Sequence, residues 1–99
     1  MSPKGYWVTM YRVVRDPAKQ AEYAALAGPA IAAGGGRFLA RGTAARTWGG
    51  TPDQRTVVIE FDSVAQAVAT YESAAYQAAK TKIAGGAVQR DVRIVEGAE

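Results

Sequence analysis

The chain contains no cysteine and no histidine. Without cysteine it can form no disulfide, offer no thiolate to a metal and use no thiol nucleophile. Without histidine it lacks the commonest general base, the Ser-His-Asp and Cys-His arrangements, and imidazole ligation of zinc, copper or haem iron. No two acidic residues stand at a convincing metal-binding spacing, so no metal and no cofactor are expected. Long apolar runs are missing too: nothing approaches the roughly 20 residues of a membrane span. The opening Met1-Ser2-Pro3-Lys4-Gly5-Tyr6-Trp7 has neither an apolar signal region nor a transit-type amphipathic run, and a cytoplasmic location is expected.

What is present is a globular composition, 48% hydrophobic and 21% charged. Residues 1–99 are read as one domain. A domain of this size has a modest core, and a second subunit is a natural source of further burial. The net charge is +3, with basic residues scattered along the chain. A mildly basic surface suits small anionic ligands, and it equally describes solvated strand and loop residues.

Tyr6 to Val14 is rich in aromatic and β-branched residues and reads as a strand. Alternation puts Trp7, Thr9, Tyr11 and Val13 on one face and Tyr6, Val8, Met10, Arg12 and Val14 on the other. Asp16-Pro17 starts a helix, an N-cap acceptor followed by proline at the first helical position. Tyr23, Leu26, Ala27, Ala30 and Ile31 form its buried stripe. Pro29 should kink or interrupt it near Gly28, and Gly34-Gly35-Gly36 stops it. Residues 37–41 form a second strand, with a bend or bulge expected at Gly42-Thr43 and strand resuming from Ala44 to Trp48. Gly49 to Gln54 is a hairpin turn, and residues 55–62 return. Ser63 and Gln66 make a capping box for the next helix, Ser73 caps a further segment, and Gly85-Gly86 ends it. Gln89 to Glu96 is the last strand, with Val92 and Ile94 on one face.

The order β-α-β-β-α-β is the split βαβ unit repeated. It predicts an α+β, ferredoxin-like fold, a four-stranded antiparallel sheet with helices on one face. Helices on one face leave the other apolar set of the first strand uncovered. Two sheets packed face to face across a twofold axis would cover it, so a homodimer is expected.

Gly5-Tyr6-Trp7, Gly36-Arg37-Phe38-Leu39-Ala40-Arg41-Gly42, Val57-Val58-Ile59-Glu60-Phe61 and Tyr71-Glu72-Ser73-Ala74-Ala75-Tyr76-Gln77 together resemble the domain of unknown function 1330 family. That family is a branch of the dimeric α+β barrel superfamily. The resemblance runs from about residue 5 to residue 97. It implies a ferredoxin-like protomer and a homodimer whose sheets make a barrel. It implies no established reaction; wider relatives include cofactor-free monooxygenases, haem-degrading oxygenases, lactone isomerases and effector domains of transcription factors. One departure is Ala74-Ala75, where such proteins often carry Pro-Glu after the serine, so a helix break there is less firmly encoded.

Four residues are candidates for a ligand pocket: Tyr23, Arg41, Ser73 and Tyr76. Arg41 can hold a carboxylate, enolate or carbonyl oxygen through its forked guanidinium, as the resemblance implies for an arginine at the pocket mouth; otherwise it pairs with an acid such as Glu60. Tyr23, Tyr71 and Tyr76 sit on helix faces aimed at the sheet, where a phenol either orients a substrate oxygen or fills the core. Ser73 either donates to a ligand or caps a helix, and with no histidine it has no evident base. Glu60 and Asp91 are acids that could act as bases if buried, or salt-bridge to arginine. The glycine run lacks a phosphate-loop ending, and residues 37–41 do not match an RNA-recognition motif, so no nucleic acid is expected. Two functions stay open: a cofactor-independent, monooxygenase- or isomerase-like enzyme acting on a small oxygenated or anionic organic molecule, and a non-catalytic small-molecule-binding homodimer.

Overall fold

The alternation of Trp7, Thr9 and Tyr11 with Tyr6, Val8 and Met10 is realised as a strand with two unlike faces. In the computed structural model, which describes residues 3–49 and 55–98, the order is β1 (Gly5–Val14), α1 (Pro17–Ala33), β2 (Arg37–Thr43), β3 (Arg55–Phe61), α2 (Val64–Tyr71), α3 (Ala74–Lys80), a 3₁₀ turn (Thr81–Ile83) and β4 (Val88–Glu96). The sheet is four-stranded, ordered β2-β3-β1-β4, and every neighbouring pair is antiparallel. This is the anticipated ferredoxin-like α+β arrangement, with the helices on one face.

The core lies between that face and the helices. Trp7, Phe61, Ile59 and Tyr76 are its largest fully buried side chains. Trp7 stacks on Phe61 and meets Tyr76 edge-on at 4.8 Å between ring centroids. From the other side α1 contributes Tyr23, Ala27, Ala30 and Ile31. Leu26, expected in the same stripe, is exposed, because the stripe follows the 23-27-30-31 spacing and leaves position 26 on its flank.

The caps are mostly as read. Asp16 accepts from the backbone of Lys19, and Ser63 from that of Gln66. The Gln66 side chain, however, does not return to Ser63. Its Nε2 donates to the Gly34 carbonyl at 2.7 Å and ties α2 to the end of α1. Pro29 does not interrupt α1, which is continuous to Ala33. Pro29 and Ala25 are both exposed, so water can serve the Ala25 carbonyl that proline leaves without a donor. The break between α2 and α3 forms despite Ala74-Ala75, because Ser73 accepts from the Tyr76 amide and its own hydroxyl donates to the Thr70 carbonyl.

Two bulges change the phase of the strands. In β2 the register slips between Phe38 and Ala40, not at Gly42-Thr43, which pair regularly with Thr56 and Arg55. The strand ends at Thr43, and 44–48 are irregular instead of extended. In β1 the register slips between Tyr11 and Val13. That inserts Arg12 as an extra residue, turns Val13 away from the Trp7 face and brings Val14 against the core. The expected turn lies mainly at residues 50–54, outside the described residues.

Candidate pocket between the sheet and the first helix

Cross-strand pairing sorts the inner sheet face into rows. Phe38, Ile59, Trp7 and Ile94 form one row, and Arg41, Val57, Thr9 and Val92 the next. The phase continues to Arg55 on β3, and to Tyr11 with its β4 partner Arg90. The face is thus apolar toward one end and carries arginines, hydroxyls and a phenol toward the other. At that polar end α1 stands off the sheet and leaves a pocket. Its empty volume is ≈ 420 Å³, a figure that includes the part open to solvent.

The pocket walls mix both characters. Trp7, Ile31, Phe38, Val57 and Ile59 supply apolar surface. Thr9, Tyr11, Gln20 and Tyr23 supply polar groups, and Arg41, Arg55 and Arg90 supply charge. Among the described residues no lining side chain is acidic, so none of them neutralises these cations. The Arg55 Nε is buried with no hydrogen-bond partner among the described residues. Trp7 Nε1 donates to Thr9 Oγ1 at 2.9 Å, and the Gln20 amide donates to the Tyr11 hydroxyl at 3.0 Å.

Arg90 organises the floor. One guanidinium nitrogen donates to the Tyr23 hydroxyl at 2.9 Å and another to the Tyr76 hydroxyl at 2.6 Å. The two hydroxyls are 2.8 Å apart, and the guanidinium also lies 4.8 Å from the Tyr23 ring centroid. Burial pushes the Tyr76 phenol well above its ordinary value, and the neighbouring Tyr23 adds to this. Burial likewise raises Tyr23, against the opposing pull of the Arg90 charge. Burial opposes the Arg90 charge, but the two phenol oxygens more than offset it and the guanidinium stays protonated. All three groups are therefore hydrogen-bond donors near neutral pH, and none is a base.

The anticipated residues fall in different places. Tyr23 lines the pocket, and Tyr76 lies just behind it, fully buried and reached through Arg90 and Tyr23. Arg41 stands in the wall with its guanidinium 4.4 Å from the Phe38 ring centroid. It does not pair with Glu60, which accepts from Arg37 and Tyr6 on the opposite face. Ser73 is not on this pocket. It caps α3 beside a separate shallow depression formed with Gly34, Gln66 and Thr70. Asp91 pairs with Arg12 on the open face at 2.7 Å. The sequence reading overlooked Arg90, Arg55 and Thr9 as pocket residues. A signal for Arg90 existed: it stands two positions before Val92 and four before Ile94, on the same face by alternation.

An antiparallel sheet with helices on one face and a pocket between the layers defines a ferredoxin-like α+β protein. The chain belongs to the family described as Domain of unknown function (DUF1330), which it matches over residues 4–98. No protein of curated function matches it in sequence. Among solved structures it is similar to the protein of unknown function RPA0582 from Rhodopseudomonas palustris, with TM-score 0.77, 18% identity and coverage of 100% of this chain and 85% of that one. It is also similar to a dimeric ferredoxin-like protein of unknown function from Thermobifida fusca, with TM-score 0.67, 15% identity and coverage of 97% and 92%. A third is a Caulobacter crescentus protein provisionally described as an antibiotic biosynthesis monooxygenase, with TM-score 0.63, 16% identity and coverage of 99% and 92%. At these identities the likeness is one of fold. Among the described residues, no helix is long and apolar enough to cross a membrane, and no group of acidic side chains is placed to hold a metal ion.

Proposed function

We propose that this protein is a cytoplasmic homodimer that binds a small oxygenated organic anion between sheet and α1, and acts on it without a cofactor in the manner of a monooxygenase or isomerase. The observation that carries the reading is the pocket wall: Arg41, Arg55 and Arg90 with the Tyr23 phenol, and no acidic side chain among the described lining residues. Such a wall favours charge that develops on a ligand oxygen, because Arg90 and Tyr23 are held in place by their mutual hydrogen bonds before reaction begins. An electron-rich substrate that is already ionised can reduce dioxygen itself, and the protein then needs only to hold and orient it. The fold it shares with the Caulobacter protein is compatible with this chemistry. The open sheet face, with Val8, Met10 and Val58 at its centre, supports the dimer, as does the dimeric description of the Thermobifida relative.

The test is oxygen uptake and product analysis across a panel of quinols and enol lactones. Turnover of one of them, lost in Arg41→Ala and Tyr76→Phe, is the expected result. If both variants turn over as the wild type does, the assignment fails. A second reading, binding without catalysis, is favoured by one observation: among the described lining residues there is no carboxylate or imidazole to act as a general base. Mass spectrometry of the protein after incubation with metabolite pools separates the two, since a binder returns its ligand unchanged.

A further inference from the structure

The proton positions on the pocket floor follow from counting donors and acceptors. Each phenol oxygen already accepts one N–H from Arg90. In the 2.8 Å contact between the phenols only one of them can donate. Tyr76 is fully buried and does not line the pocket. If Tyr23 donated to Tyr76, the Tyr76 proton would be left without an acceptor among the described residues, the costly condition for a buried donor. If Tyr76 donates to Tyr23, every group behind the wall is served, and the Tyr23 proton turns toward the pocket. Thr9 repeats the pattern: its oxygen accepts from the Trp7 indole and its own proton is directed to no acceptor among the described residues.

We infer that the pocket selects the ionised form of a small conjugated enol or phenol, with the Tyr23 hydroxyl, held by Arg90 and Tyr76, donating to the anionic oxygen. This deepens the proposed function and rests on it. The pocket is lined by Arg41 from β2, Arg55 from β3, Tyr11 and Thr9 from β1, Arg90 from β4 and Tyr23 from α1, with Tyr76 of α3 behind. These groups present charge or donors; the Gln20 Nε2 is engaged with the Tyr11 hydroxyl, and its buried Oε1, without a partner among the described residues, is an acceptor beside them. Among the described residues no lining carboxylate can take a proton from the ligand. Ionisation therefore delivers the proton to solvent at the open mouth, and no bond in the protein changes. The conjugated frame of the ligand is matched by Phe38, Trp7 and the aliphatic wall.

The probe is 4-nitrophenol, whose phenolate absorbs in the visible. It is titrated with the intact protein at a pH equal to its own pKa, with nitrobenzene as the neutral comparison. Phenolate should bind about tenfold or more tightly than the phenol, since bonds to a charged acceptor are the strong ones. The colour then deepens as protein is added. Tyr23→Phe keeps the ring and its packing and should erase most of that preference. Tyr76→Phe should weaken it while leaving the Tyr23 hydroxyl in place. If nitrobenzene and the nitrophenols bind alike, a pocket exists but selection for the anion is wrong. Full preference retained in Tyr23→Phe overturns the role of that hydroxyl. If none of these probes binds at millimolar concentration, the pocket reading itself falls, and this inference with it.

Discussion

Arg37 and Arg41 lie four positions apart on one strand and project from opposite faces of the sheet. Regular alternation would put both on one face. The bulge between Phe38 and Ala40 adds a residue and reverses the phase. Arg37 therefore meets Glu60 at 3.0 Å and Asp62 at 3.1 Å on the open face, while Arg41 reaches the pocket. One inserted residue thus separates an arginine that closes an ion-pair network from one left available to a ligand.

Arg41 and Arg90 line the same pocket but should differ in what their loss does to the fold. Arg41 is exposed and its contact is with the Phe38 ring, so Arg41→Ala should change stability by no more than about 0.5 kcal/mol. Arg90→Met removes the donors that two buried phenols accept from and should cost about 1–3 kcal/mol. Urea midpoints at unchanged slope measure both. Equal, small losses would mean that Arg90 does not hold the phenols in place.

Much of this architecture is legible in the sequence because local signals agree with one another. Asp16-Pro17, Ser63, the glycine stops and the alternation of β1 all point to the observed elements. The pocket is less legible, for two physical reasons. Bulges carry no strong residue signature here, so the inward phase of Arg41 and the outward turn of Val13 are set by pairing partners far along the chain. Arg90 resembles a surface residue by type, and its burial is made tolerable by Tyr23 and Tyr76, which are 67 and 14 positions away. Ser73 shows the opposite case: its local capping chemistry accounts for it in full.

Stability should fall off at both ends of the pH scale, for opposite reasons. Tyr23 and Tyr76 bind their protons more tightly when folded, chiefly through burial. Their contribution is complete below the ordinary phenol value near 10 and is lost as pH climbs above it. Glu60 is held low by Tyr6 and Arg37, and Asp62 by Lys4 and Arg37. Their contribution is present above the ordinary carboxylate range and is lost as pH falls through the lowered values. Urea midpoints against pH should show both limbs, and Tyr76→Phe should flatten the alkaline one alone. An alkaline limb unchanged in that variant would contradict the assignment.

Two glycines should respond in opposite senses to alanine. A Cβ on Gly36 would stand 2.6 Å from a methyl of Ile31 and 2.8 Å from the tip of the Phe61 ring. Both neighbours are packed core, so Gly36→Ala should destabilise by about 1–3 kcal/mol. A Cβ on Gly28 meets nothing within 4 Å, and Gly28 lies within α1, where alanine gains about 0.5–1 kcal/mol over glycine. Because Gly28 lines the pocket, Gly28→Ala should raise the melting temperature while weakening ligand binding. A stabilised variant with unaltered binding would place the ligand away from α1.

The open face of the sheet decides whether the protein works alone. Its central rows bring Ala40, Val58 and Val8 together, with Thr56 and Met10 beside them. Charged pairs flank this patch, Tyr6-Glu60-Arg37 at one end and Arg12-Asp91 at the other. An apolar centre with a polar rim is how a stable interface is built, and it needs about 800 Å² from each partner. Val58→Glu places a carboxylate among Val8 and Ala40, where a second sheet would leave it buried and unpaired. The wild type should sediment as a dimer at micromolar concentration, and Val58→Glu as a folded monomer with an unchanged circular dichroism spectrum. A wild type that sediments as a monomer removes the homodimer, and a Val58→Glu variant that still pairs moves the interface off this face.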